Sequence, residues 1–209
     1  MQAALALYTK AIIKRTGQVV SNVKPDPESK EYGGGHLQLD DVCCIFRKSK
    51  ITPTKVGQFV TLYERSPENN KIEPLKFESV KSQKVIVFCV EADNCGQFVF
   101  SPEVLEQEGV LSSDRQKGKL SFRVYPPWVK TDNKNAAAAQ RWQVPYFVQA
   151  SSSADAVRVK FEAVLQHNVV GEKRSASQQP KAKKATKANA TMPSAKVKSK
   201  ATGAKAVAR

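Results

Sequence analysis

Two periods of apolar residues run through this chain, one helical and one of strand type. Leu5, Tyr8, Ile12 and Ile13 fall on a single helical face, so residues 2–14 predict a helix, with Gly17 as its stop. Residues 21–35 carry Pro25, Pro27 and Gly33-Gly34-Gly35 and predict a loop. The triple glycine lacks the spacing and the following Gly-Lys-Ser/Thr of a phosphate-cradling loop, so it reads as a turn or bulge. Alternation resumes at His36, Asp40-Asp41 offer a turn, and residues 42–46 form a β-branched and aromatic strand. A second such strand covers 57–64, and residues 66–83 are a polar loop. Residues 84–90 are a continuous apolar run of strand length, which suits the centre of a sheet. Residues 96–100 predict the next strand.

The remaining signals are helical apart from one strand. Ser101 caps a short helix reaching Gln107, with Pro102 at its first position. Leu120, Phe122 and Val124 alternate with polar partners and predict a strand over 120–125, stopped by Pro126-Pro127-Trp128. Thr131 or Asp132 is expected to cap a helix running to about Trp142, where four consecutive alanines raise the propensity. Trp142 is expected in the core as the anchor of that helix. A last helix, about 154–167, presents Val157, Phe161, Val164 and Leu165 on one face.

Charge divides the chain in two. The net charge is +15, and residues 171–209 hold nine Lys, two Arg and one Glu, which leaves +5 for the rest. The tail lacks the apolar surface to offset the entropy of ordering and is expected to be disordered. The expected organisation is therefore one globular domain over 1–168 and a Lys/Ala-rich basic tail over 169–209. Such a tail binds polyanions by releasing counterions. Lys173-Arg174 with Lys181-Ala182-Lys183-Lys184 also resembles a nuclear import signal. A cytoplasmic location follows as the expectation, nucleoid-associated or, in a eukaryote, nuclear.

Cys43, Cys44, Cys89 and Cys95 contain no Cys-x-x-Cys pair, and only His36 and His167 could join them, so no zinc site is expected. Reduced thiols, mostly buried, are expected instead. No apolar run is long enough to cross a membrane as a helix. Two histidines and no nucleophile elbow leave a Ser-His-Asp or Cys-His hydrolase without support.

The densest charge of the first 170 residues lies in Arg47-Lys48-Ser49-Lys50-Ile51-Thr52-Pro53-Thr54-Lys55, four cations and no acid between two strands. Pro53 and Gly57 suffice to turn the chain, so the cations exceed what a turn needs. Like charges this close repel unless something negative lies between them.

Three segments resemble the MepB family of small bacterial proteins. They are Glu31-Tyr32-Gly33, then the run from Phe46-Arg47 through Ser49-Lys50-Ile51-Thr52-Pro53-Thr54-Lys55-Val56-Gly57-Gln58-Phe59-Val60-Thr61-Leu62, then Arg123-Val124-Tyr125-Pro126-Pro127-Trp128 leading to Asn133-Lys134 and Gln140-Arg141-Trp142-Gln143. Gly96-Gln97-Phe98-Val99-Phe100 also fits. The resemblance spans roughly residues 20–148. It implies an α/β fold with a mixed sheet flanked by helices, similar to the PD-(D/E)xK nucleases. It also implies nucleic-acid binding without an assigned reaction.

That nuclease chemistry needs an acid on one strand and acid-x-Lys on the next, to hold magnesium and orient a water. Asp40 or Asp41 could be the first acid and Lys48 the lysine, but no acid stands two before Lys48, Lys50 or Lys55. Glu31 is the best distant acid to complete the set. Glu28-Ser29-Lys30 and Asp132-Asn133-Lys134 match literally, the first in a Pro-rich loop and the second at a helix start. Binding is the stronger expectation. Arg47, Lys48, Lys50, Lys55, Arg123, Lys130, Lys134 and Arg141 supply charge, and Ser49, Thr52 and Thr54 supply hydroxyls for phosphate oxygens. Tyr125 and Trp128 offer flat faces for unpaired bases. The expected partner is DNA or RNA held in one basic groove, with no cofactor unless magnesium serves a nuclease. A basic module for an acidic protein partner is the further alternative.

Overall fold

The computed structural model describes residues 1–27 and 33–166. The Lys/Ala-rich tail and Glu31 lie outside the described residues.

The chain opens with a helix in three consecutive pieces: α1 (Gln2–Tyr8), a widened π-type stretch (Thr9–Ile13) and α2 (Lys14–Thr16). Gly17 closes it with φ +79°, the left-handed conformation that glycine adopts without strain. Then come β1 (Val20–Pro25), β2 (Gly35–Leu39) and β3 (Val42–Lys48), joined as an antiparallel meander. β1 occupies residues expected as loop. It is an edge strand, largely exposed, with an irregular register between Ser21 and Lys24, so it shows no apolar alternation.

β3 pairs in parallel with β8 (Lys84–Glu91), which pairs antiparallel with β9 (Asn94–Phe100). A parallel pair needs a long crossover. Here residues 49–83 supply it, and they are far from plain loop. They hold β4 (Lys50–Thr52), β5 (Lys55–Thr61), β6 (Tyr63–Arg65), β7 (Ile72–Pro74) and α3 (Phe77–Val80). Two of the crossover's strands, β4 and β5, join β10 (Ser121–Val124) in a second sheet of order β10-β5-β4. The remaining elements are α4 (Pro102–Gln107), α5 (Lys134–Gln143), β11 (Phe147–Gln149) and α6 (Ala154–Gln166). The main sheet has the order β1-β2-β3-β8-β9-β11.

Alternation along β8 builds the interior on both sides of this sheet. Ile86 and Phe88 pack with Tyr8, Ile12, Val157 and Phe161, the buried faces of the first and last helices. Val85, Val87 and Cys89 pack with Val60, Leu105, Leu111, Phe122 and Val124, from the crossover and the second sheet. The helices α1 and α6 thus cover one face, and the second sheet with α3 to α5 covers the other. Residues 84–90 hold the central position their continuous apolar run implies.

Candidate nucleic-acid interface

The basic segment is not a turn. Residues 50–61 form the β4–β5 hairpin, tipped by Pro53 and Thr54. The expected single groove is also divided, because alternation sends successive side chains to different places. Arg47 is 4% exposed, and its guanidinium bonds Asp26 Oδ2 at 3.1 Å and the Phe46 carbonyl at 3.0 Å. Burial pulls its pKa down, and Asp26 pulls it back up. Arg47 therefore belongs to the interior rather than to the groove. Lys48 lies on the α1 side of the main sheet, near Gly33. Ser49 is buried on the opposite side, its Oγ 2.5 Å from Gln58 Oε1 and 3.0 Å from the Phe88 carbonyl.

Lys50 and Arg123 meet on one surface. Phe59 of β5 is paired with Lys50 on one side and with Arg123 on the other. Cross-strand partners point to the same face of a sheet. The row Lys50–Phe59–Arg123 therefore lies on one face of the second sheet, and Ile51–Gln58–Val124 lies on the reverse. The Arg123 guanidinium sits 5.9 Å from the centre of the Phe59 ring. It donates to Thr52 Oγ1 at 2.7 Å and to the Gly57 carbonyl at 2.9 Å, with the Lys55 and Val56 carbonyls at 3.3 and 3.4 Å. Arg123 thus ties down the hairpin tip that carries the exposed Thr54 and Lys55.

The reverse of the hairpin forms one wall of a cleft of about 280 Å³, lined by Ile51, Lys55, Gln58, Glu91, Trp128 and Lys130 among others. Glu91 ends β8. Its Oε2 accepts from Trp128 Nε1 at 2.8 Å and from Gln58 Nε2 at 3.5 Å. Ser49 fixes the Gln58 amide through Oε1, which leaves Nε2 to face the carboxylate. The Trp128 ring meets Phe147 edge-on, with centroids 5.3 Å apart, so it is a half-buried wall of the core as well as of the cleft. Trp142, expected in the core, is partly buried and packs on Phe100 at the core's edge.

α5 holds this wall in place. Its cap is Asn133, which accepts from the Ala136 N–H at 2.9 Å, not Thr131 or Asp132. Gln140 Nε2 donates to the Pro126 and Val129 carbonyls at 3.0 and 2.8 Å, bracing the loop with Trp128 and Lys130. Gln143 accepts from the Tyr125 N–H at 2.8 Å and donates to the Arg123 carbonyl at 2.9 Å. Tyr125 lies against Gly57, where φ is +81° and an added Cβ would meet the ring at 2.5 Å. Burial raises the Tyr125 phenol. Lys134 and Arg141 are exposed on α5 itself.

Among the described residues, the acids and the lysine named for a nuclease do not come together. Asp40 and Asp41 form the β2–β3 turn at the start of β3, while Lys48 stands at its end. At ~3.3 Å per residue the strand separates them by roughly 20 Å. Asp40 has φ +48°, and its carboxylate accepts from the Val19 N–H, so it is a turn residue. No group of three or more His, Cys, Asp or Glu among the described residues could hold a metal ion. Glu91 and Gln58 were missed as cleft residues, although both were visible. Gln58 stands inside the resembling run, and Glu91 is the acid that ends the central apolar strand.

The molecule is a mixed α+β protein, a helix-flanked sheet whose parallel crossover carries a basic hairpin. The sequence profile of the MepB-like family matches residues 26–149, more than half of the chain. The chain belongs to that family. It is similar to the crystal structure of MepB, with 28% sequence identity and a TM-score of 0.62, over 73% of this chain and 100% of that one. No curated protein matches it. No helix among the described residues is long and apolar enough to cross a membrane.

Proposed function

We propose that this protein binds the phosphate backbone of a nucleic acid across the β4–β5 hairpin, with the basic tail adding affinity. The observation that carries this reading is a hairpin cationic on both faces: Lys50 lies in the row with Phe59 and Arg123 on one, and Lys55 and Lys130 line the cleft on the reverse. Lys50, Lys55 and Lys130 are exposed. No ion pair among the described residues involves Lys55 or Lys130. Arg123 builds the surface, because its N–H groups are turned to the Gly57 carbonyl and the Thr52 hydroxyl of the hairpin.

The test is a titration of labelled single-stranded DNA, duplex DNA and RNA at several salt concentrations. The full chain is compared with the Lys50→Ala/Lys55→Ala variant. Each phosphate contact on a single strand contributes ~0.7 to the slope of log affinity against log salt. The double variant is expected to lower that slope by about 1.4, two contacts' worth, while the tail contributes equally to both proteins. Identical slopes would remove the hairpin from the interface.

A further inference from the structure

The cleft contains a feature that phosphate binding does not require. A carboxylate inside a basic cleft repels phosphate, yet Glu91 lines the same cleft as Lys55 and Lys130. It is not neutralised by them, since no ion pair among the described residues involves Glu91. It is instead held by the neutral Trp128 Nε1–H at 2.8 Å, with the neutral Gln58 Nε2 amide approaching to 3.5 Å. Both converge on Oε2, and no described residue donates to Oε1. Gln58 is 1% exposed and is itself fixed by the buried Ser49. A carboxylate oriented this carefully by uncharged groups is a preorganised acceptor for N–H donors. Apolar walls stand around it in Ile51, Val56 and Val129.

We propose that this cleft reads a nucleobase, taking an amine-bearing base with its donor edge on Glu91 and its phosphates on Lys55 and Lys130. The inference rests on the nucleic-acid reading above and names what the cleft selects. Guanine fits best, because N1–H and the N2 amine are adjacent donors. Cytosine and adenine offer one amine beside an acceptor nitrogen. Thymine and uracil place carbonyl oxygens on either side of their single N–H, and these repel a carboxylate. The site thus separates bases by charge complementarity, with a repulsive element against the wrong ones.

The experiment measures binding of the full chain to a labelled thymine dodecamer carrying guanine, hypoxanthine or thymine at its centre. A good donor–carboxylate contact discriminates by about tenfold. The guanine strand is expected to bind about tenfold more tightly than the all-thymine strand. Hypoxanthine, which lacks the amine, is expected to fall between them. Glu91→Gln keeps an acceptor for Trp128 but adds a donor, and it is expected to abolish or invert the preference. Lys130→Ala is expected to weaken all three strands alike and preserve their ratio. Equal binding of the guanine and thymine strands, with Lys50 and Lys55 still needed, overturns the base-reading pocket and leaves the backbone interface standing. A preference that survives Glu91→Gln likewise overturns it. Binding to none of the strands overturns both.

Discussion

Arg47 carries its charge into the interior, where Asp26 is its counter-ion at 3.1 Å. Removing one partner of a buried pair leaves the other uncompensated, which costs several kcal/mol. Asp26 keeps 22% of its side chain exposed, so the cost lies at the lower end of that range. Asp26→Ala is expected to destabilise the protein by about 3 kcal/mol in urea denaturation. The thiols give a second test at this scale. Burial pushes both Cys44 and Cys89 from the ordinary value of 9.0 up to about 12. Between those values the unfolded chain releases thiol protons that the folded chain retains. Stability from these groups is therefore complete below about pH 9 and is lost as pH rises toward 12. The urea midpoint is expected to fall across that window. In the native protein at neutral pH, the exposed Cys43 is expected to take up iodoacetamide while Cys44 and Cys89 do not. Rapid labelling of all three would contradict the burial.

The hairpin and α5 act together as elements. Gln143 is 1% exposed and satisfies the Tyr125 N–H just past β10 and the Arg123 carbonyl within it at once. Gln143→Ala would leave both unpaired, at ~1–3 kcal/mol for each group that water does not reach. A loss of about 2 kcal/mol is expected by denaturation, with Trp128 fluorescence altered because the strand leading to that loop is released. Gly57→Ala combines a positive φ with a clash on Tyr125. It is expected to weaken backbone binding while Phe88 and its neighbours keep the main sheet folded.

The same elements show what the chain discloses before folding. The apolar runs of β8 and β9, the Ala-rich α5 and the Val157–Phe161–Val164 face of α6 were legible, because burial on a regular element leaves a period. β5 was legible in large part as the strand expected over 57–64, but β4 and β1 were not, since exposed strands have polar residues on their outer face and no period to betray them. The cap of α5 was ambiguous for a different reason. Thr131, Asp132 and Asn133 can all cap, and only the backbone angles choose Asn133. In the candidate site the cations were legible as a group, but their division was not. One residue of strand carries Arg47 inward, and the next carries Lys48 to the far side of the sheet. That depends on pairing set by distant residues.

At the scale of the molecule, the main sheet separates two surfaces. The helix-covered side carries Lys10, Lys14, Arg15 and Lys160, and the hairpin side carries Lys50, Lys55 and Lys130. Both are cationic, so net charge alone would bind nucleic acid on either. The two sides differ in geometry: the hairpin carries Lys50 beside Phe59 and Arg123 on one face and Lys55 and Lys130 along a cleft on the other, and the helix side has no such assembly among the described residues. Lysine footprinting tests this most directly. The full chain is acetylated with and without a saturating single-stranded oligonucleotide, and modification is read residue by residue by mass spectrometry. The account predicts protection of Lys50, Lys55 and Lys130, with Lys10, Lys14 and Lys160 modified equally in both samples. Protection of the helix-side lysines, with Lys50, Lys55 and Lys130 unchanged, would contradict it.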